Sequence, residues 1–164
     1  MPSAPGPAPD TLWPMSADDR AMMRAALAEA RAAAARGEVP VGCVIARGPE
    51  VLAAAGNERE ARGDATAHAE VVAIRDAGIA LGGWRLDGAT AYVTLEPCPM
   101  CAGALWQARI ARLVYAAADP KAGGAGSVMD IVRNPRLPHR VEVEGGLLAD
   151  EAGALLREFF AARR

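Results

Sequence analysis

The sequence alternates short apolar runs with longer segments of helical spacing, and this alternation limits the possible folds more than any other feature. Five runs predict strands: residues 41–46, 51–55, 91–95, 113–116 and 141–143. Four segments predict helices: residues 16–36 with Ser16 as N-cap, a helix from Thr66 that stops near Gly78, residues 98–109, and a terminal helix through Ala152, Leu155, Leu156 and Phe159. Strands that alternate with helices in this way indicate a layered α/β domain.

Chain length and the composition of the N-terminus predict the domain organisation. The 164 residues fit one domain, and five prolines fall within the first 14 residues. We therefore expect residues 1–15 to be a disordered proline-rich tail and residues 16–164 to form the domain. No run of about 18 apolar residues predicts a membrane span, and the start lacks the basic-then-apolar pattern of a secretory signal. We expect a cytoplasmic protein.

The charge of the chain is balanced overall but unevenly distributed. Eighteen basic and 20 acidic residues give a formal net charge of −2, whereas a nucleic-acid-binding domain is usually basic in total. Residues 107–140, however, hold six basic side chains and two acidic ones. This segment predicts either a nucleic-acid contact or a solvated basic face.

Three cysteines are too few for a disulfide framework, and two of them form a C-x-x-C pair. This pair, Cys98 and Cys101, follows the predicted strand 91–95 and opens a helix, so both sulfurs share one helix face. Alone, it indicates either a redox dithiol or half of a metal site. A second motif, His68-Ala69-Glu70, opens another predicted helix and supplies an imidazole. Together the two motifs favour a metal site over a redox pair.

His68, Cys98 and Cys101 form a ligand set that suits zinc. Three protein ligands with one open position are typical of catalytic zinc, whereas structural zinc has four. A closed site would need Cys43 or His139 as the fourth ligand. Cys43 lies in an apolar strand segment, where a buried inert thiol is the simpler interpretation. Glu70 is rotated by about 200° from His68 on a helix, so we expect it beside the metal rather than on it.

The combination H-x-E with P-C-x-x-C is the signature of zinc-dependent base deaminases. Further stretches carry the likeness: EVPVG (38–42), GN (56–57), TAHAE (66–70), YVTLEPCPMCAGAL (92–105), DPKAGGAGSVMD (119–130), HRVEV (139–143), and LLREFF followed by AARR. On these stretches the chain resembles the bacterial tRNA-specific adenosine deaminases over residues 16–164. The resemblance implies a three-layer α/β/α cytidine deaminase-like domain with a central mixed five-stranded sheet.

The resemblance also assigns roles to individual residues. One Zn²⁺ per subunit would lower the pKa of a water to roughly 7 for attack by hydroxide at C6, with Glu70 as the proton shuttle. The residues implied to bind the substrate are Asn57, Val41, Ala69 and Leu95 at the base, Asp119 and Lys121 in the glycine-rich loop, and Phe159, Arg163 and Arg164 in the terminal helix. One departure stands out, because Ala118 occupies a position where the family often has a basic residue. It bears on one RNA contact rather than on the chemistry.

Each of these roles has a plainer alternative. Glu70 suits a helix N-terminus electrostatically, and Asn57 suits a turn in a left-handed conformation. Val41, Leu95 and Phe159 suit ordinary core packing. The arginines Arg163 and Arg164 would also complement the C-terminal end of a helix.

The implied substrate is a flipped base in a single-stranded RNA loop, because a base inside a stem cannot enter such a pocket. The resemblance implies conversion of adenosine to inosine at the wobble position of an arginine-type tRNA anticodon, by a homodimer. A deaminase of a free base or nucleoside, such as guanine or cytosine, would need neither a basic loop nor an arginine-ended helix. A non-catalytic subunit of a tRNA deaminase would typically lack the shuttle glutamate, which is present here as Glu70.

Overall fold

The computed structural model describes residues 17–164; the expected N-cap Ser16 and the proline-rich residues 1–15 lie outside the described residues. The elements in chain order are α1 (Ala17–Ala35), β1 (Gly42–Arg47), β2 (Glu50–Gly56), α2 (Arg59–Arg62), α3 (Ala69–Leu81), β3 (Thr90–Leu95), α4 (Pro99–Gln107), β4 (Arg112–Ala117), β5 (Glu142–Gly145) and α5 (Ala149–Ala161). All five predicted strands are present, each displaced by at most two residues at an end. No helix within residues 17–164 is long and apolar enough to span a membrane.

The five strands form one mixed sheet in the order β2-β1-β3-β4-β5. Strand β1 is antiparallel to both neighbours, and the β1–β2 pair is a tight hairpin. Strands β3, β4 and β5 are parallel, because α4 crosses over between β3 and β4 and returns the chain to the same edge. The mixed five-stranded sheet implied by the family resemblance is confirmed.

Helices cover both faces of the sheet. On one face α1 packs against β1, β2 and β3, and α5 packs against β3 and β4. On the other face α3 packs against β1 and β2 and also contacts α4. Successive residues alternate between the two cores, so that Cys43 faces the α3 side while Val44 faces the α1 side. The domain therefore has the expected three α/β/α layers.

Three details of the predicted secondary structure are wrong: the start and the end of the helix from Thr66, and the loop over residues 58–64. The helix starts at Ala69, with His68 as its N-cap, because Ala65 and Thr66 lie in a turn. The helix predicted from Thr66 does not stop near Gly78. In the structure it is α3, which runs on to Leu81 and ends at Gly82, whose φ of 72° is left-handed. A helix interior tolerates one glycine, and the left-handed cap is what ends it.

The polar composition of the segment 58–64 predicts a loop between the second strand and the helix from Thr66, but this segment contains the short helix α2. Its first turn is held by a residue from outside the segment. The buried carboxylate of Glu38 accepts hydrogen bonds from the backbone N–H groups of Glu60 and Ala61, at 2.8 and 2.9 Å. No local pattern encodes this cap, since Glu38 precedes the helix by about twenty residues.

Candidate active site

The three candidate metal ligands come together where α3 and α4 begin. His68 is the N-cap residue of α3, Cys98 is the N-cap residue of α4, and Cys101 lies in the first turn of α4. Proline at position 99 favours the start of α4 directly after Cys98. The three ligand atoms lie within 4.8 Å of one another.

The spacing of these atoms fits a tetrahedral zinc ion. Nδ1 of His68 lies 3.7 Å from Sγ of Cys98 and 3.4 Å from Sγ of Cys101. Zinc–sulfur bonds of about 2.3 Å and zinc–nitrogen bonds of about 2.0 Å at tetrahedral angles place nitrogen and sulfur about 3.5 Å apart. Within residues 17–164, the cluster holds these three residues, and neither Cys43 nor His139 belongs to it.

The pKa values of the two cysteines of the cluster shift in opposite directions. A hydrogen bond from the Cys101 thiol lowers the pKa of Cys98 to about 4, and the same bond, together with burial, raises the pKa of Cys101. A hydrogen bond with Cys98 raises the pKa of His68. Metal ligation needs deprotonated sulfur, so metal binding at this cluster would release the proton of the Cys101 thiol.

Glu70 lies beside the cluster in the first turn of α3. It is 4% exposed, and burial is the main cause that raises the pKa of its carboxyl group. Its carboxylate also hydrogen-bonds the thiol of Cys101. A buried carboxyl group with a raised pKa is suited to accept and release a proton near neutral pH.

A pocket of about 220 Å³ opens onto this cluster. It is smaller than the about 300–1,000 Å³ typical of sites for drug-sized ligands, so it suits a single base rather than a nucleotide. Eight of its lining residues were expected from the sequence: Val41, Asn57, His68, Ala69, Glu70, Leu95, Cys98 and Asp119. Four were not: Val39, Arg59, Glu96 and Ala122.

Asn57 is held in place by the backbone on both sides of the pocket. Its Oδ1 accepts a hydrogen bond from the N–H of Arg59 at 3.1 Å, and its Nδ2 donates to the carbonyl of Val39 at 3.4 Å. Among the non-glycine residues of 17–164, positive φ occurs at Arg109 and Leu148, so Asn57 is not the left-handed turn residue of the alternative interpretation. A side chain held at both ends presents a fixed amide to a ligand.

Arg59 reaches the pocket because α2 carries it there. The helix follows Asn57 directly, and its first turn is fixed by Glu38. The sequence held no clear signal for this residue, because its position depends on a helix that local pattern did not predict.

A second, open cleft of about 690 Å³ adjoins the pocket and shares Val39, Leu95 and Asp119 with it. Its other lining residues come from the end of β4, the loop that follows it and α5: Ala117, Ala118, Pro120, Lys121, Ala149, Gly153, Leu156, Arg157 and Phe160. Lys121 is thus close to the pocket but outside it.

The remaining residues expected to bind RNA, Phe159, Arg163 and Arg164, lie outside both spaces. Phe159 is buried, and Phe160 rather than Phe159 faces the cleft. Arg163 folds back over the Phe159 ring, whereas Arg164 is exposed at the end of the chain.

The glycine-rich loop after β4 lies directly on the turn that carries Cys98. A Cβ atom on Gly123 would lie 2.1 Å from Oε2 of Glu96, and one on Gly124 would lie 3.0 Å from the carbonyl of Cys98. Gly124 also donates its N–H to the carbonyl of Pro97 at 2.7 Å. These two glycines are required by close approach of the loop to the turn.

Comparison with known proteins identifies the family. The family model of the MafB19-like deaminases matches residues 17–164. A tRNA-specific adenosine deaminase of Bacillus subtilis is 46% identical over 89% of this chain and 91% of its own length. The chain belongs to the tRNA-specific adenosine deaminases. It is an enzyme of the deaminase class.

Solved structures agree with this assignment. A tRNA:A34 deaminase, described as performing A-to-I editing at the wobble position of transfer RNA, superposes with a TM-score of 0.80 at 46% identity, over 83% of this chain and 99% of the other. A guanine deaminase from Nitrosomonas europaea superposes with a TM-score of 0.76 at 27% identity, over 87% of this chain and 84% of the other. The expected deaminase fold is therefore confirmed.

Proposed function

We propose that this enzyme converts adenosine to inosine at the wobble position of a tRNA anticodon by hydrolytic deamination, with one Zn²⁺ per subunit. The observation that carries the proposal is the pocket itself. A cavity that suits one base is lined by two of the three candidate metal ligands, His68 and Cys98, and by a buried carboxyl group, Glu70; Cys101 completes the metal cluster.

His68, Cys98 and Cys101 would hold the zinc ion, since their atoms have the spacing and chemistry that it requires. Bound there, zinc would lower the pKa of a water molecule to about 7 and so supply a nucleophile at neutral pH. Three protein ligands leave one position for that water, as in catalytic zinc sites.

Glu70 moves the protons of the reaction. It accepts a proton from the attacking water and donates it to N1 of the adenine ring. It then takes the remaining proton from the new C6 hydroxyl and gives it to the amine, which leaves C6 as ammonia. Burial separates the Glu70 carboxyl group from bulk water. It also raises the pKa of this group toward the range in which it can both accept and donate a proton at neutral pH.

The base is held by groups on the pocket wall. Val41, Ala69 and Leu95 supply apolar contacts to its faces. Asn57 uses one amide hydrogen and one lone pair of its carbonyl for the backbone, which leaves one donor and one acceptor for the edge of a purine.

The rest of the nucleic acid must lie outside the pocket, because the cavity suits only a base. A flipped nucleotide from a single-stranded loop meets this requirement. The adjoining cleft presents Lys121 and Arg157 for phosphates and Phe160 for stacking. The sequence resemblance alone implies an arginine-type tRNA as substrate and a homodimer as the active assembly, in which a partner would extend the RNA surface.

The decisive experiment compares substrates on the zinc-loaded enzyme. Anticodon stem-loops with adenosine at the wobble position, of arginine type and of another type, are incubated beside free adenosine, cytidine and guanine. We expect inosine in the arginine-type stem-loop at a far higher rate than any reaction of the free compounds. Faster turnover of guanine would instead favour the activity of the Nitrosomonas europaea relative and would overturn the proposal.

A further inference from the structure

We propose that Glu96 is a positioning residue that couples the substrate-facing loop after β4 to the turn that carries Cys98. The inference rests on the proposed function, because it assigns the loop to RNA binding. Glu96 does not enter the proton transfers. It acts by holding the segment 119–127 at the mouth of the pocket.

Glu96 is a fully enclosed carboxylate with an unusual set of partners. It is 2% exposed, and within residues 17–164 the hydrogen bonds of its side chain all run to one loop. Its Oε1 accepts the N–H of Asp119 at 3.1 Å and the hydroxyl of Ser127. Its Oε2 accepts the N–H groups of Ala125 and Ser127, each at 3.1 Å. One side chain therefore fixes both ends of the loop.

Asp119 in turn holds the neighbouring loop residues that face the substrate. The Asp119 carboxylate accepts the N–H of Lys121 at 3.0 Å and of Ala122 at 3.2 Å. Asp119 and Ala122 line the base pocket, and Lys121 lines the adjoining cleft. Release of the Asp119 backbone would thus loosen the pocket mouth and the cleft together.

The two carboxylate oxygens of Glu96 bind different groups of the loop, and this difference makes its role testable. In Glu96→Gln the amide oxygen can keep both bonds of Oε2, to Ala125 and Ser127. The amide nitrogen can then donate to the Ser127 hydroxyl, but it faces the N–H of Asp119 with no acceptor. The substitution should therefore free the Asp119 end of the loop and leave the other end attached.

Three measurements on zinc-loaded Glu96→Gln test this directly. Amide exchange followed by NMR should accelerate at Asp119 by about tenfold or more, with much smaller changes at Ala125 and Ser127. The KM for the anticodon stem-loop should rise about tenfold while kcat stays within about twofold of wild type. Zinc content should remain at one per chain.

Glu144→Gln is the matched control, because Glu144 is another 2% exposed carboxylate but is not part of the pocket or the cleft. It should leave the KM and the Asp119 exchange rate unchanged. The inference is overturned if Glu96→Gln leaves Asp119 exchange at the wild-type rate, or if kcat falls together with zinc content at unchanged KM. Failure of the proposed function shows separately, as absence of stem-loop turnover by the wild-type enzyme, and the exchange measurement then still decides the role of Glu96 in the loop.

Discussion

The guanidinium carbon of Arg163 lies 3.4 Å from the centre of the Phe159 ring, and its Nη1 donates to the carbonyl of Phe159 at 3.1 Å. The side chain is thus held at the C-terminal end of α5, where a positive charge is favourable. This is the structural role that the sequence offered as the alternative to RNA binding. Such a role does not remove the charge, which remains close to the exposed Arg164.

We predict that replacing both Arg163 and Arg164 by alanine weakens binding of the anticodon stem-loop. The slope of log Kd against log salt should become shallower by about 0.7–0.9 for each phosphate that the variant no longer neutralises, since fewer counterions are released. The rate at saturating RNA should change little. The control is Arg20→Ala with Arg24→Ala, which removes two exposed charges from α1. Identical salt slopes in both double variants would show that the arginines serve only the helix end.

A second prediction concerns the metal. Cys43→Ala should retain one zinc per chain by elemental analysis, because Cys43 is buried in the sheet and outside the ligand cluster. Cys101→Ala should lose the metal and, with it, stability, since metal binding and folding are coupled. Loss of zinc from Cys43→Ala would indicate a closed structural site and contradict the catalytic assignment.

A third prediction isolates the proton shuttle. Glu70→Gln preserves shape but cannot carry a proton, so the single-turnover rate on saturating stem-loop should fall by at least about 10²-fold. Zinc content and RNA affinity should stay near wild type, because Glu70 lies outside the metal cluster and deep in the pocket. Glu50→Gln, in the exposed hairpin turn, should behave as wild type. A normal rate in Glu70→Gln would show that another group moves the proton.

The sequence predicted the parts of the fold that depend on local pattern. Apolar runs become strands because their side chains are buried in the two cores on either face of the sheet. The two ligand motifs come together because each opens a helix at the same end of the sheet. His68 and Cys98, thirty residues apart, were paired on the chemistry of their motifs rather than on any long-range signal.

The parts that escaped prediction depend on contacts between distant segments. Glu38 caps α2 from outside the helix and thereby brings Arg59 to the pocket. In the sequence, Glu96 is simply the residue between the end of the predicted strand 91–95 and a proline. Its side chain, however, accepts hydrogen bonds from residues that follow 23 to 31 positions later. The sequence showed a glycine-rich loop but not the reason for its glycines, which is that Gly123 and Gly124 allow tight packing against Glu96 and Cys98.

A fourth prediction addresses stability. Arg112 binds Asp19 at 2.7 Å and Glu144 at 2.9 Å, and all three side chains are largely buried. Arg112→Met leaves two buried carboxylates without this partner and should lower the free energy of unfolding by about 3–5 kcal/mol in urea titrations. Arg85→Met breaks an exposed pair with Asp87 and should cost less than about 1 kcal/mol. Equal effects of the two substitutions would contradict this account of the buried network.

The last prediction is a pH dependence of stability that arises at His139. Its ring stacks on Trp106 with centroids 4.9 Å apart, and its Nε2 is buried without a hydrogen bond within residues 17–164. Burial, assisted by the charge of Arg109, lowers the pKa of His139, so the folded chain favours the neutral ring. As the pH falls below about 6.5, His139 is therefore protonated in the unfolded chain at a higher pH than in the folded chain. The stability contributed by His139 is therefore complete above that pH and is lost as pH falls through the lower pKa of the folded state.

His139→Phe keeps an aromatic ring on Trp106 but removes the titration. Urea unfolding of both proteins between pH 7.5 and pH 5, on the order of one unit either side of the unfolded histidine pKa, should give a shallower pH dependence in the variant. His68 titrates in both proteins, so its contribution cancels in the comparison. Parallel curves for the two proteins would mean that the buried Nε2 of His139 is protonated as readily in the folded chain as in the unfolded one, which its burial against Trp106 argues against.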